Sequence, residues 1–414
     1  MNFFKIMFFL GCVASTALNA QETDTSALKL NNTLPNNDSS GVREEKQASD
    51  IIFKILKIKR KKAAFENENI KVGKLLFAIL PGVGYNLQSA FTGIITANVS
   101  FYLGEKKTTN ISVFNTDVEY SPSHHQTLVP FVFNVWLKDN KFNFVGDIRY
   151  LIFPSSTYGL GAYSYYNKFD KINYTYLKAY VVAFKPLRKD FYFGLGYNLD
   201  YHWKISSQDT TTNTNFQEYN QNANQTISSG IYVSLKYDSR RNINNPQGGA
   251  YCNVSFRPNL NALGSDNDYQ TILIDARKYF KFNTVRSNIL GFWSYNWLTF
   301  GKTPYLDMPS NGWDTYANVG RGYVQGRFRG PKLIYLESEY RFGITRNGLF
   351  GMVLFANAQS YAELLSNKFE KIIPAAGTGV RVKINKRSNV NFAVDYAVGI
   401  NGSNGFFFNI SEVF

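Results

Sequence analysis

Phe191-Tyr192-Phe193-Gly194-Leu195-Gly196-Tyr197-Asn198-Leu199-Asp200-Tyr201-His202-Trp203-Lys204 decides the fold. Every odd position is aromatic or leucine, while the even positions are Tyr192, Gly194, Gly196, Asn198, Asp200, His202 and Lys204. A period of two is that of a β-strand, whose successive side chains point to opposite faces. The odd face suits lipid, and the even face suits a wet or closely packed lumen. The split recurs from Asn389 to Ile400, where Val390, Phe392, Val394, Tyr396, Val398 and Ile400 oppose Asn389, Asn391, Ala393, Asp395, Ala397 and Gly399. It recurs again from Lys141 to Ile152, with Phe142, Phe144, Ile148, Tyr150 and Ile152 set against Lys141, Asn143, Asp147 and Arg149.

Working outward, such segments fall at 75–86, 90–103, 108–121, 126–138, 141–153, 171–184, 191–206, 226–238, 249–258, 267–281, 284–300, 332–344, 347–360, 372–384, 388–400 and 404–414. The expected fold is all-β: a transmembrane antiparallel β-barrel of about sixteen strands, an even number as in single-chain bacterial barrels. The strands of a soluble sandwich average about five to six residues, far shorter than these segments. Asp139-Asn140 and Phe282-Asn283 read as tight periplasmic turns, whereas 154–170, 207–225 and 301–331 read as long outward loops. Aromatic residues are abundant, Tyr 28 and Phe 35, as interfacial girdles require.

Ahead of the barrel, residues 1–20 hold Lys5, an apolar run from Ile6 to Val13 and small residues ending at Ala20, the pattern of a secretory signal peptide cleaved before Gln21. The apolar run is far short of the roughly 20 residues of a spanning helix. Cys12 lies too early for lipoprotein processing. Residues 21–47 are polar and read as a flexible periplasmic arm. Residues 48–74 interleave Ile51, Ile52, Phe53, Ile55, Leu56 and Ile58 with Lys54, Lys57, Lys59, Arg60, Lys61 and Lys62. This is either a basic, partly amphipathic helix lying on the inner leaflet or against the barrel mouth, or a solvated linker.

The mature chain retains one cysteine, Cys252, so it forms no internal disulfide. Its three histidines, His124, His125 and His202, sit at no metal-ligand spacing, and no metal or other cofactor is expected. The formal net charge of +15 points, in an exported chain, to outer-membrane lipids and lipopolysaccharide or to acidic protein segments, not to nucleic acid. No enzymatic site stands out. His202 has no obvious serine in phase beside it, so the chain is not expected to be an enzyme, and a hydrolase reading would stand or fall on His202.

The final segment puts Phe406, Phe408, Ile410 and Phe414 in one phase, the look of the terminal strand by which barrel precursors are recognised for assembly. Glu412 shares that phase and is expected near the interface, where a charge costs little.

The densest motif is Gly320-Arg321-Gly322-Tyr323-Val324-Gln325-Gly326-Arg327-Phe328-Arg329-Gly330, followed by a strand with Glu337-Ser338-Glu339-Tyr340-Arg341-Phe342. Glycine lets such a loop fold tightly, and its guanidinium groups seek carboxylates. If Ile334, Leu336, Tyr340 and Phe342 face lipid, Glu337, Glu339 and Arg341 face the lumen, where an inserted loop meets them. An arginine paired inside a barrel is satisfied by its carboxylates, so a loop-holding role for Arg321 is expected ahead of contact with a client.

With these residues in view, 75–414 resembles the bacterial surface antigen barrel family, which includes the BamA and TamA assembly factors. That family's inserted loop carries an Arg-Gly-Phe/Tyr signature, matched by Arg321-Gly322-Tyr323, and its following Glu-Tyr-Arg is matched by Glu339-Tyr340-Arg341. Pro81-Gly82-Val83-Gly84-Tyr85, Phe153-Pro154 with Tyr158-Gly159-Leu160-Gly161, and Asp238-Ser239-Arg240 with Pro246 and Gly248-Gly249 resemble three weaker family signatures, in the family's order. The resemblance implies an outer-membrane barrel that works in protein insertion, assembly or translocation, as an accessory subunit or with other assembly proteins and client barrels as partners. Two departures bear on this. Asn357 stands where the family has an aspartate, leaving the loop arginine one carboxylate fewer, and residues 21–74 are too short and polar to hold the family's periplasmic POTRA domains. These favour the alternative, a pore-forming or structural barrel without insertase activity.

Overall fold

The structure, a computed structural model, describes residues 72–164, 167–207, 214–220, 223–283, 288–386 and 388–414. The expected signal peptide, arm and all but the end of the basic segment lie outside the described residues.

The strands are β1 (Leu76–Asn86), β2 (Ala90–Phe101), β3 (Ser112–Ser121), β4 (Gln126–Trp136), β5 (Asn143–Ile152), β6 (Ser155–Thr157), β7 (Asp170–Arg188), β8 (Phe191–Ser207), β9 (Gln225–Asp238), β10 (Gly249–Asn259), β11 (Tyr269–Asn283), β12 (Asn288–Gly301), β13 (Lys332–Gly343), β14 (Phe350–Tyr361), β15 (Ile373–Asn385), β16 (Val390–Gly399) and β17 (Asn404–Ile410). Each pairs antiparallel with its neighbours in sequence. The short β6 prolongs β5 beyond Pro154, which lacks the N–H a ladder needs, and both pieces pair with β7. The result is a transmembrane antiparallel barrel of 16 staves, nearly closed.

Because neighbouring strands run in opposite directions, the connections 158–169, 208–224 and 302–331 all leave from one mouth, here the long-loop mouth. Asp139 and Asn140 turn at the opposite, short-turn mouth with left-handed φ of 58° and 55°, which such side chains tolerate. Phe282 and Asn283, expected as a second tight turn, are instead the last residues of β11. A register shift between Lys281 and Asn283 carries the ladder on, and Phe282 stays outward, 67% exposed, in phase with Phe280.

The core lies inside the barrel. In β8 Leu195 and Tyr197 are exposed, whereas Asn198, Asp200 and His202 are buried. The alternation breaks at Lys204, whose even position had placed it on the lumenal face. A bulge with φ 55° turns Lys204 outward, and Ile205 is buried in its stead.

A second departure is larger. β17 ends at Ile410, and Ser411, at φ 83°, swings the last residues into the lumen. Phe406 and Ile410 are exposed on the outward face and Phe408 half-buried, but Phe414 is 2% exposed, packed on Trp293 and Tyr279 with ring centroids at 5.3 and 6.1 Å. Glu412 is not at the membrane interface; it accepts hydrogen bonds from Arg381 Nε (2.7 Å) and Asn391 Nδ2 (2.7 Å) inside the barrel. Burial among cations stabilises the carboxylate there better than lipid contact would.

The first and last staves meet at a seam. The Tyr85 and Phe408 rings touch across it, edge to face at 5.6 Å. Among the described residues no hydrogen-bonded ladder joins β1 to β17.

Candidate functional site

The connection 302–331 does not stand out from the long-loop mouth but folds back into the lumen. Val319, Tyr323 and Phe328 pack into an apolar cluster with Trp293, Tyr295, Tyr335 and Tyr361 on the barrel wall. The loop holds its own shape through Arg329, whose Nη1 donates to the carbonyls of Tyr305 (3.1 Å), Leu306 (2.9 Å) and Met308 (3.3 Å). Arg327 Nη1 donates to Ser164 Oγ at 2.8 Å, tying the loop to the connection after β6.

The descent ends at Arg321. Gly322 follows it at φ 108°, where a Cβ would stand 2.7 Å from that of Ala375, so only glycine lets the backbone turn this close to the wall. Tyr323 pins the far side: its hydroxyl donates to the Pro374 carbonyl at 2.5 Å and accepts the Ile400 N–H at 2.9 Å. Ser403 Oγ donates to the Gly322 carbonyl at 2.7 Å. The three residues of the motif thus touch β13 to β16 in turn.

The Arg321 guanidinium, 2% exposed, donates to Glu337, to Glu339 and to Asp395 Oδ2, the last at 2.6 Å. It lies over the Phe355 ring at 3.7 Å. Asn357 does not accept from the guanidinium; its Nδ2 donates to the Arg321 carbonyl at 2.9 Å. The carboxylate apparently missing from β14 is supplied two strands on by Asp395, which also accepts from Arg381. Arg341 Nε donates to Glu339 at 2.5 Å, and its Nη2 to the Phe414 carbonyl at 2.5 Å.

Arg321, Arg341 and Arg381 therefore share Glu337, Glu339, Asp395 and Glu412 in one buried network. Taking an ion out of water costs several kcal/mol, and such a network offsets that only while every member keeps its partners. It joins the loop, the three strands β13, β15 and β16, and the final residues of the sequence.

Sequence reasoning placed Glu337 and Glu339 on the lumenal face by phase alone, and both are buried there. Ile334, Leu336 and Tyr340 are exposed on the opposite face. It missed Asp395, Arg381, Glu412 and Phe355 as partners. Asp395 was legible as lumenal from the alternation of β16; its distance from Arg321 was not.

A second cluster lies towards the long-loop mouth. Asp200 accepts hydrogen bonds from Arg257 Nη1 (2.5 Å), Tyr180 (2.8 Å) and Tyr176. His202 stacks on Tyr176 at 4.1 Å, and its Nδ1 lies 3.5 Å from Asp307 Oδ1 in the loop. Ser228 Oγ donates to the other oxygen of Asp307 at 2.6 Å. The serine serves the carboxyl and not the imidazole, so no nucleophile–base pair forms. Burial, and secondarily the nearby Asp200, push the Asp307 carboxyl up to about 8.

No protein-family model matches the chain, and no curated protein matches it. Among solved structures it is similar to BamA from Haemophilus ducreyi lacking POTRA domains 1–3, with 14% identity and a TM-score of 0.54 over 81% of this chain and 69% of that one. It is also similar to CdiB from Acinetobacter baumannii, with 10% identity and a TM-score of 0.50 over 82% of this chain. The chain spans 60% of the CdiB chain. At these identities the likeness is one of fold: this is a barrel of the outer-membrane type, built like those two.

Proposed function

We propose that the protein sits in the outer membrane with its N-terminal arm in the periplasm and takes part in inserting or translocating other proteins, as an accessory subunit or alongside other assembly proteins. The observation that carries this reading is the seam. β17 stops at Ile410, so the half of β1 nearest the short-turn mouth, laddered to β2 on one side, has no ladder partner on its other edge among the described residues. Its outward residues Phe77 and Ile79 are 64% and 58% exposed. An unpaired strand edge templates pairing with another chain, and a seam without a ladder opens sideways more readily than a laddered one. The Arg321 network supports the reading by stiffening the wall from β13 to β16, so that movement concentrates where β1 meets β17.

Depletion of the protein followed by profiling of the outer-membrane proteome tests it. Loss of several other barrels is the expected result; unchanged levels of every one of them would overturn the proposal.

A second reading, a structural barrel without insertase activity, is favoured by the plug, since the loop and final residues pack into the lumen against the wall from β11 to β15. An open pore is disfavoured on the same ground. In planar bilayers the plugged barrel is expected to be silent, and steady large conductance would support a pore instead. We read the protein as non-enzymatic, because the Ser228 hydroxyl, which shares Asp307 with His202, donates to that carboxyl and not to the imidazole.

A further inference from the structure

The outward face of the barrel is not uniform. Over β8 and β9 it carries large apolar side chains such as Leu195, Tyr197, Ile231 and Leu235, all exposed. Part-way along β10 to β14, between exposed residues such as Phe256, Phe280 and Leu354, a patch of small residues interrupts it. Cys252, Ala276 and Ser294 are successive cross-strand neighbours, as are Ser338 and Ala356, and Ala358 lies beside Leu336. Phe292 and Leu336, 44% and 55% exposed, rise from this floor of small side chains. The result is a groove of about 660 Å³ on the surface that faces the bilayer, within the roughly 300–1,000 Å³ range of small-molecule sites.

One cation marks its end. Lys278, on the same outward face, lines the groove two residues from Ala276 towards the short-turn mouth. Its ammonium lies 5.5 Å from the Phe280 ring, and among the described residues no carboxylate lies within ion-pair distance of it. A lysine on a lipid-facing surface extends its ammonium to the headgroup level, where phosphates are the available anions.

We propose that this groove binds one anionic phospholipid of the leaflet at the short-turn mouth, with an acyl chain on the small-residue floor between β10 and β14 and the phosphate against Lys278. Lipid tails and protein side chains are equally apolar, so a chain is held there by close packing and by the headgroup charge instead of by exclusion from water. The small residues supply the first and Lys278 the second. This inference does not depend on any role in protein assembly.

Native mass spectrometry of the folded barrel, supplied with equal phosphatidylglycerol and phosphatidylcholine of matched acyl chains, tests it. The wild-type barrel is expected to retain one phosphatidylglycerol, several-fold in excess over phosphatidylcholine. Lys278→Gln should abolish that preference several-fold while leaving heat-resistant folding on gels unchanged. Ala276→Leu combined with Ser294→Leu, which fills the floor but keeps the lysine, should abolish retention of both lipids. Equal retention by wild type and the filled variant would overturn the proposal. So would a wild-type barrel that holds a copurifying protein on this face and no lipid.

Discussion

Arg321 and Asp395 are 74 positions apart in sequence, and their side chains meet at 2.6 Å in the middle of the barrel. The contact joins the loop before β13 to β16, three strands along the sheet, so it exists only once β13 to β16 have paired and curved around the loop.

Removing the cation should therefore be felt by the whole barrel. Arg321→Ala leaves Glu337, Glu339 and Asp395 buried with less positive charge, and breaking one side of a buried pair costs about 3–5 kcal/mol. The folded, fast-migrating form on gels is expected to convert to the unfolded form at lower temperature. Arg321→Lys keeps the charge but loses the planar fork and should fall in between. An unchanged conversion temperature in Arg321→Ala would contradict the network.

Gly322→Ala tests the backbone separately from the charge. At φ 108°, with 2.7 Å to the Ala375 Cβ, the added methyl should cost about 1–3 kcal/mol. Faster proteolysis within 302–331 in folded barrels is the measurement, with Gly326→Ala, whose nearest neighbour is 3.6 Å away, as the milder comparison.

Asp307 gives the loop a pH dependence of known sign. Its folded value is raised to about 8 from 3.8, so the folded state binds the extra proton and the associated stability is fully present below about pH 4. It is lost as pH rises through 8. Loop protection from protease should decline between pH 5 and pH 9, and Asp307→Asn, which mimics the protonated form, should flatten that profile. A variant with the wild-type slope would assign the effect elsewhere.

The final residues act as a second plug. Phe414→Ala removes a ring buried against Trp293 and Tyr279 and should cost about 3–5 kcal/mol, as for other buried phenylalanines. Tail release is read by carboxypeptidase, which should trim the variant and leave the wild type intact.

The strand count, the lumenal phase of Glu337, Glu339 and Asp395, and the importance of the Arg321 loop were readable because a period of two needs no knowledge of the partner strand. What could not be read were places where one residue resets that period. Lys204 and Ser411 adopt left-handed backbone without being glycine, so nothing in their identity announces the turn, and every position after them changes face. Partner choice was equally hidden, since Asp395 meets Arg321 only because the loop folds back across three neighbouring strands.

That dependence couples the loop to elements later in the sequence. The loop connects β12 to β13, yet its partners include a strand made later and residues after the last strand. Without the loop, Glu337, Glu339, Asp395 and Glu412 would share only Arg341 and Arg381. The loop, the strands from β13 to β16 and the final residues therefore settle as one unit; a slower approach to the heat-resistant form in Arg321→Ala would be the kinetic trace of that coupling.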